Sequence, residues 1–206
     1  MNNFLNGFKV PTKLFWDSSY AKIIETQRLL TDLSMQNWLH YSFPRWTWWL
    51  LLFFTVSPLF LWWKYTDPRR FLEISFFGLM TSISTGVVDS AGVQFLMWTY
   101  PNSLLPGLPN FFPIDYVAIP IIFMLIYQKY PGWKAFILAS ALMSIILSLI
   151  ADPVLVWLNV YQPLSWQYYY SIPTFVFIVS FAKLVTIIVE GQDSQYRTDT
   201  RGEKAT

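Results

Sequence analysis

Two apolar stretches of the chain carry the same row of polar side chains. Thr81, Thr85 and Asp89 lie four residues apart in one, and Ser144, Ser148 and Asp152 four apart in the other, at a constant offset of 63 positions. Four-residue spacing puts each trio on one face of a helix. A carboxyl group deep in a bilayer is costly to bury, so its presence there is first of all a functional-site hypothesis. Carboxylates flanked by hydroxyls suit a proton, a cation or a small solute. Pro153, directly after Asp152, leaves the Leu149 carbonyl without its usual helix partner, and Ser90-Ala91-Gly92 follows Asp89. Freed carbonyls beside a carboxylate can take a cation or a water, as in discontinuous transporter helices. The structural alternative is that each aspartate hydrogen-bonds across the bundle and only clamps helices, a bond worth about 0.6 kcal/mol. Both readings stay open on the sequence.

Two accessory groups stand beside these six. Asp115 begins a third apolar stretch, where it either caps the helix or joins the acidic site. Lys183 lies within the last one, where it either snorkels to the headgroups or serves as counter-ion to an aspartate. Glu73, one turn after Arg69 and Arg70, reads as their surface partner. The 206 residues include no cysteine and one histidine, His40, so thiolate and multi-His metal sites are excluded. No nucleophile elbow, phosphate-binding loop or His-Glu-x-x-His motif occurs. A non-enzymatic protein with no metal and no cofactor is the expectation. The net charge of +2 implies no nucleic-acid partner.

The elements that must position these groups follow from composition. Hydrophobic residues make up 54% and charged ones 13%, about half the usual charged share. Five stretches are long enough for the roughly 20 residues a spanning helix needs: about Trp46–Trp63, Phe71–Tyr100, Pro113–Tyr130, Trp133–Tyr161 and Tyr168–Val189. The fold expected is all-α, a polytopic membrane protein of five transmembrane helices. Lys64, Arg69 and Arg70 follow the first span and Lys129 and Lys134 the third, while the connections 101–114 and 162–171 hold no Lys or Arg. The positive-inside rule then puts the C-terminus in the cytoplasm and the N-terminus outside, although Lys9, Lys13, Lys22, Arg28 and Arg45 weigh against the latter. Aromatic belts are expected at both interfaces, with Tyr127 and Trp133 among the inner rings and Trp98, Tyr100 and Tyr161 among the outer.

Residues 1–45 read as an extension with an amphipathic interfacial helix over about Ser18–His40, Asp17 being its candidate N-cap. Residues 46–190 form the membrane domain. Residues 191–206 are polar and expected to be disordered. The first apolar run begins only at Trp46, so no cleavable signal peptide is expected.

The paired trios belong to a longer match. Leu79-Met80-Thr81 corresponds to Leu142-Met143-Ser144, and Ile83, Val87 and Val93 to Ile146, Ile150 and Val156. Lys64-Tyr65 and Lys129-Tyr130 end the preceding spans. This reads as a repeated pair of spans, parallel rather than inverted. Gly78, Ser82, Gly86 and Ser90 add a row of small residues to the second span, for close packing inside the bundle or between copies in a homo-oligomer.

Several fragments together carry a resemblance over about residues 65–189. They are Asp67-Pro68-Arg69-Arg70, Trp98-Thr99-Tyr100-Pro101, Leu108-Pro109 with Pro113-Ile114-Asp115, Ile119-Pro120, Met124-Leu125-Ile126-Tyr127-Gln128, Asp152-Pro153 with Leu155 and Trp157, and Tyr170-Ser171-Ile172-Pro173. The chain thereby resembles an uncharacterised family of small multi-pass membrane proteins from spore-forming Firmicutes. At the position of Asp152 that family often carries Glu, which keeps the carboxylate and changes its reach. The resemblance implies a helical protein in a bacterial plasma membrane, with the lipid bilayer as partner. It implies no activity. The leading expectation is a membrane protein with a buried acidic polar site. The alternatives are a structural or scaffolding protein and a lipid-modifying enzyme.

Overall fold

A chain this apolar must satisfy its backbone internally wherever water is excluded, and helices do so segment by segment. The computed structural model describes residues 18–43, 45–105 and 111–203. Helix α1 spans Ser18–Asn37 and runs into a π turn at Trp38–Ser42. Asp17, the candidate cap, and residues 106–110 of the proline-rich connection lie outside the described residues. Helix α2 is Trp46–Tyr65 and α3 is Phe71–Gln94. Between them Asp67 accepts a hydrogen bond from the Arg69 N–H at 2.9 Å, and Pro68 starts a 3-10 turn that feeds α3. The two-residue strand β1, Trp98–Thr99, follows. A π segment, Pro113–Ala118, continues directly into α4, Ile119–Lys129. Helix α5, Trp133–Ile146, continues through a second π segment, Leu147–Ala151, into α6, Asp152–Trp157. Strand β2, Gln162–Pro163, precedes α7, Tyr168–Glu203.

Both π segments end just before a proline, Pro120 or Pro153. The ring removes one donor and blocks the α-helical bond. The wider i→i+5 bond, from Ile119 N–H to the Ile114 carbonyl and from Asp152 N–H to the Leu147 carbonyl, carries the helix across the site without breaking it. The second of these is the irregularity the sequence places at Asp152. Helix α3, by contrast, stays regular through Asp89.

The helical rods run between two ends of the bundle. Residues 95–105 with 111–112 and residues 158–167, themselves without Lys or Arg, form one end, the uncharged end of the connections, where Arg45 and α1 also lie. The connections after Tyr65 and after Lys129 form a charged end, tied together by Gln128, which donates to the Tyr65 carbonyl and accepts from the Asp67 N–H, both at 2.9 Å. Four of the five rods are long and apolar enough to cross a membrane: Trp46–Tyr65, Pro68–Gln94, Trp133–Trp157 and Tyr168–Gly191. The remaining rod, a six-residue π segment plus the eleven residues of α4, is about 25 Å long and falls short of them. It is also the most enclosed, packed by α2, α3 and α5, with Phe123 and Ile121 buried in the core. Helix α7 closes the other side against α3 and α5. The outward faces stay apolar. Phe60 and Trp63 of α2 are 73% and 77% exposed, a surface that only lipid or a partner covers.

Helix α7 runs on through residues 191–203. No proline intervenes, and each residue added to an existing helix gains a hydrogen bond without a new nucleation cost. The two glycines of the small row on α3 pack inside the bundle: a Cβ at Gly78 would strike Met124, and one at Gly86 would strike Tyr116.

The offset of 63 recurs in the backbone. Leu96 and Asn159, the positive-φ residues at 53° and 56°, stand that far apart. The hydrogen bonds closing α3 are Phe95 to Ala91, Leu96 to Val93 and Met97 to Gly92, and those closing α6 are Leu158 to Val154, Asn159 to Val156 and Val160 to Leu155. Every donor and acceptor shifts by the same number. The strands that emerge pair antiparallel with Thr99 opposite Gln162, its own equivalent. A residue facing its equivalent is what a local two-fold axis between the halves produces.

Candidate functional site

The turn at Leu96 reverses the chain after α3, and Gly92 lets the Trp98 ring lie flat on the helix where any Cβ would clash. Trp98 Nε1 therefore donates to Asp89 Oδ1 at 2.8 Å, and the Tyr100 hydroxyl donates to the same oxygen. Trp98, Tyr100 and Tyr161, assigned from the sequence to an outer aromatic belt, turn inward instead. The left-handed turns at Leu96 and Asn159 send both post-helix segments back over the bundle rather than out toward lipid.

Beneath them lies a cavity of about 90 Å³. Asp89, Asp115 and Asp152 all line it, with Thr85 from α3 and Ser171 and Thr174 from α7. Its remaining walls are apolar or aromatic, among them Phe111, Leu155, Phe175 and Ile178. Among the described residues no Lys, Arg or His lines it. Asp89 and Asp115 are only 5% and 8% exposed. The Phe111 backbone N–H serves both carboxyls, yet the Oδ2 atom of each is buried without a partner. Asp152 is half-buried and takes no hydrogen bond from the described residues. Buried polar atoms are almost always satisfied, so two orphans facing one cavity call for a ligand or water there. The volume has room for several water-sized groups. Among the described residues no three acidic, His or Cys groups stand close enough together to hold a metal ion.

A larger cavity of about 380 Å³ lies beside it, between α1 and the chain from Thr99 to Leu105. Tyr100 and Phe111 line both cavities and stack on each other at 4.9 Å, so they form the partition. Helix α1 is fastened over this region through its continuation. Asn37 donates to the Pro101 carbonyl at 3.2 Å, Trp38 to that of Ser103 at 3.1 Å, and Ser42 to the Asn102 side chain at 3.2 Å.

The other sequence candidates divide. Thr85 reaches across to the Asp115 carbonyl at 2.8 Å and so belongs to the site. Thr81 and Ser144 instead bond the carbonyls of Phe77 and Ser140, four residues back on their own helices. Ser148 is buried away from the cavity with no partner. Asp115 makes no helix-capping bond, because the π segment turns it into the bundle. Lys183 neither snorkels nor pairs with an aspartate. It is 1% exposed at the charged end, where it donates to the Pro131 carbonyl at 2.7 Å and sits 4.2 Å over the Phe136 ring. Carbonyls at a helix C-terminus and aromatic faces both attract a cation, which holds it there. Glu73 forms the expected ion pair with Arg70 at 2.7 Å.

Trp98, Tyr100, Phe111, Tyr161, Ser171 and Thr174 were not read from the sequence as site residues. Ser171, Thr174 and Ile178 do share a helical face, a spacing that marks a polar-edged inner stripe on α7. No protein-family model, no curated protein and no solved structure matches this chain.

Proposed function

We propose that the protein is a five-span membrane protein that takes a small positively charged species from outside into an acidic cavity in the outer half of the bundle. One observation carries this reading: three carboxyl groups from three elements line one cavity that no basic residue among those described shares, and two of their oxygens are buried without partners.

The five-span topology is supported by the chain path. Helix α1 sits at the uncharged end, and Lys183, within α7, sits at the charged end. Termini at opposite ends require an odd number of crossings, so the short central rod crosses as well. By the positive-inside rule the Lys- and Arg-free connections make that end extracellular, against the Lys22, Arg28 and Arg45 that α1 and the start of α2 bring to it. A bacterial plasma membrane is proposed on the resemblance noted from the sequence.

The clamp reading keeps a place for Asp89 alone, because its Oδ1 ties Trp98 and Tyr100 to α3. It does not account for Asp115 and Asp152. The absence of cysteine makes a direct test available. Thr174→Cys places a thiol in the cavity wall and leaves every carboxyl intact. It should react faster with a cationic methanethiosulfonate than with an anionic one of similar size, and Asp152→Asn should shrink that preference. Equal rates for both reagents would sink the reading.

A further inference from the structure

We infer that the species the acidic cavity takes is a primary ammonium group, resting on the proposed function above. The cavity offers unpartnered carboxyl oxygens as acceptors. Asp89 Oδ2 and Asp115 Oδ2 are buried and unpartnered, and Asp152 is free of hydrogen bonds from the described residues. Thr174 has already committed its proton to the Tyr170 carbonyl at 2.8 Å, and Ser171 Oγ lies 2.9 Å from the Trp166 N–H. Both keep lone pairs. A primary ammonium is a compact charge with three donors and no acceptor, the same head that Lys presents.

The walls suit an organic cation better than a bare divalent ion. A bare divalent ion needs six or more oxygen ligands, or a near-ideal octahedron, at short distance. The described residues provide no such cluster. Aromatic faces from Trp98, Tyr100, Phe111 and Tyr161 instead attract an organic cation through their rings. Leu155 and Ile178 leave apolar surface for a short alkyl stem. A quaternary ammonium would gain the rings and leave the unpartnered oxygens unsatisfied, since it has no N–H. The same head occurs in a free alkylamine and in an ethanolamine lipid headgroup.

The test uses the full chain in nanodiscs of phosphatidylcholine at constant ionic strength. Ethylammonium should raise the Tm on the order of 5 °C at about a hundredfold its Kd. Tetramethylammonium, sodium and magnesium should not match it, and Asp115→Asn and Asp152→Asn should each reduce the rise. Two variants guard against one that folds poorly. A second arm replaces part of the lipid with phosphatidylethanolamine. A rise in that arm without ethylammonium assigns the group to a lipid headgroup, and a rise only with ethylammonium assigns it to a free amine. Stabilisation by tetramethylammonium or sodium equal to that by ethylammonium would overturn the ammonium class while leaving a cation site standing. No response to any cation or lipid would overturn both.

Discussion

The two ends of the bundle bury ionisable groups in opposite ways. At the charged end every such group has its partner. Arg70 and Glu73 pair, the Tyr127 hydroxyl donates to Glu73 at 2.6 Å, and Lys183 takes two backbone carbonyls and three ring faces. At the uncharged end three carboxyls share a cavity with open oxygens. A satisfied buried charge is a fastening, and removing one partner leaves the other stranded. An unsatisfied one is a cost the fold sustains, which is how binding sites are commonly built. The same residue types therefore do structural work at one end and are available for ligand at the other.

The largest effect expected from this contrast is at Lys183. Lys183→Met keeps the apolar stem but strips two carbonyls of their charged donor, and should destabilise by about 2–4 kcal/mol in denaturant unfolding. Asp115→Asn, with no ion pair to break, should cost under about 1 kcal/mol. Equal costs would erase the distinction between the ends.

Gly86 and Gly78 sharpen it. Both abut the central rod, but Gly86 touches Tyr116, next to Asp115, while Gly78 touches Met124 further along. Leu at either position should cost about 1–3 kcal/mol by overpacking. Only Gly86→Leu should also slow cationic labelling of Thr174→Cys, because it displaces the segment that carries Asp115. Val87→Leu, on an outward face, should change stability by less than about 0.5 kcal/mol. Loss of labelling with Gly78→Leu as well would mean the cavity depends on general packing and not on that local contact.

The sequence made the helices and Asp89 with Asp152 legible, because apolar length and four-residue spacing are local properties. For Asp115 the sequence left two readings open, a helix cap or a member of the acidic site. Its direction depends on a π turn whose cause, Pro120, lies five residues on, and the 3.6-residue period misses that rotation. The partners of Lys183 were not legible because they are carbonyls more than fifty residues away, at a chain reversal. The inward aromatics depend on a leucine in a conformation that leucine seldom adopts, so no propensity argument reaches them.

That leucine allows the finest test of the contrast. Both positive-φ residues outside glycine, among those described, sit at the uncharged end, at equivalent places in the two halves. Holding a residue left-handed costs about 1–2 kcal/mol when it carries a bulky side chain, and less for asparagine, whose side chain bonds locally. Glycine removes that cost but adds about 0.5–1 kcal/mol of freedom to the unfolded chain. Leu96→Gly should therefore stabilise by about 0.5–1 kcal/mol, and Asn159→Gly should change little. Leu96 is also 68% exposed, so the substitution removes little packing. The measurement is the unfolding midpoint of each variant in the same micelles. A destabilised Leu96→Gly would mean that the side chain itself fastens the turn over Asp89, and that this end too is built as a fastening. A gain at Leu96 with none at Asn159 would locate the strain at the turn that delivers Trp98 and Tyr100 to their carboxylate, where a scaffold alone has no use for it.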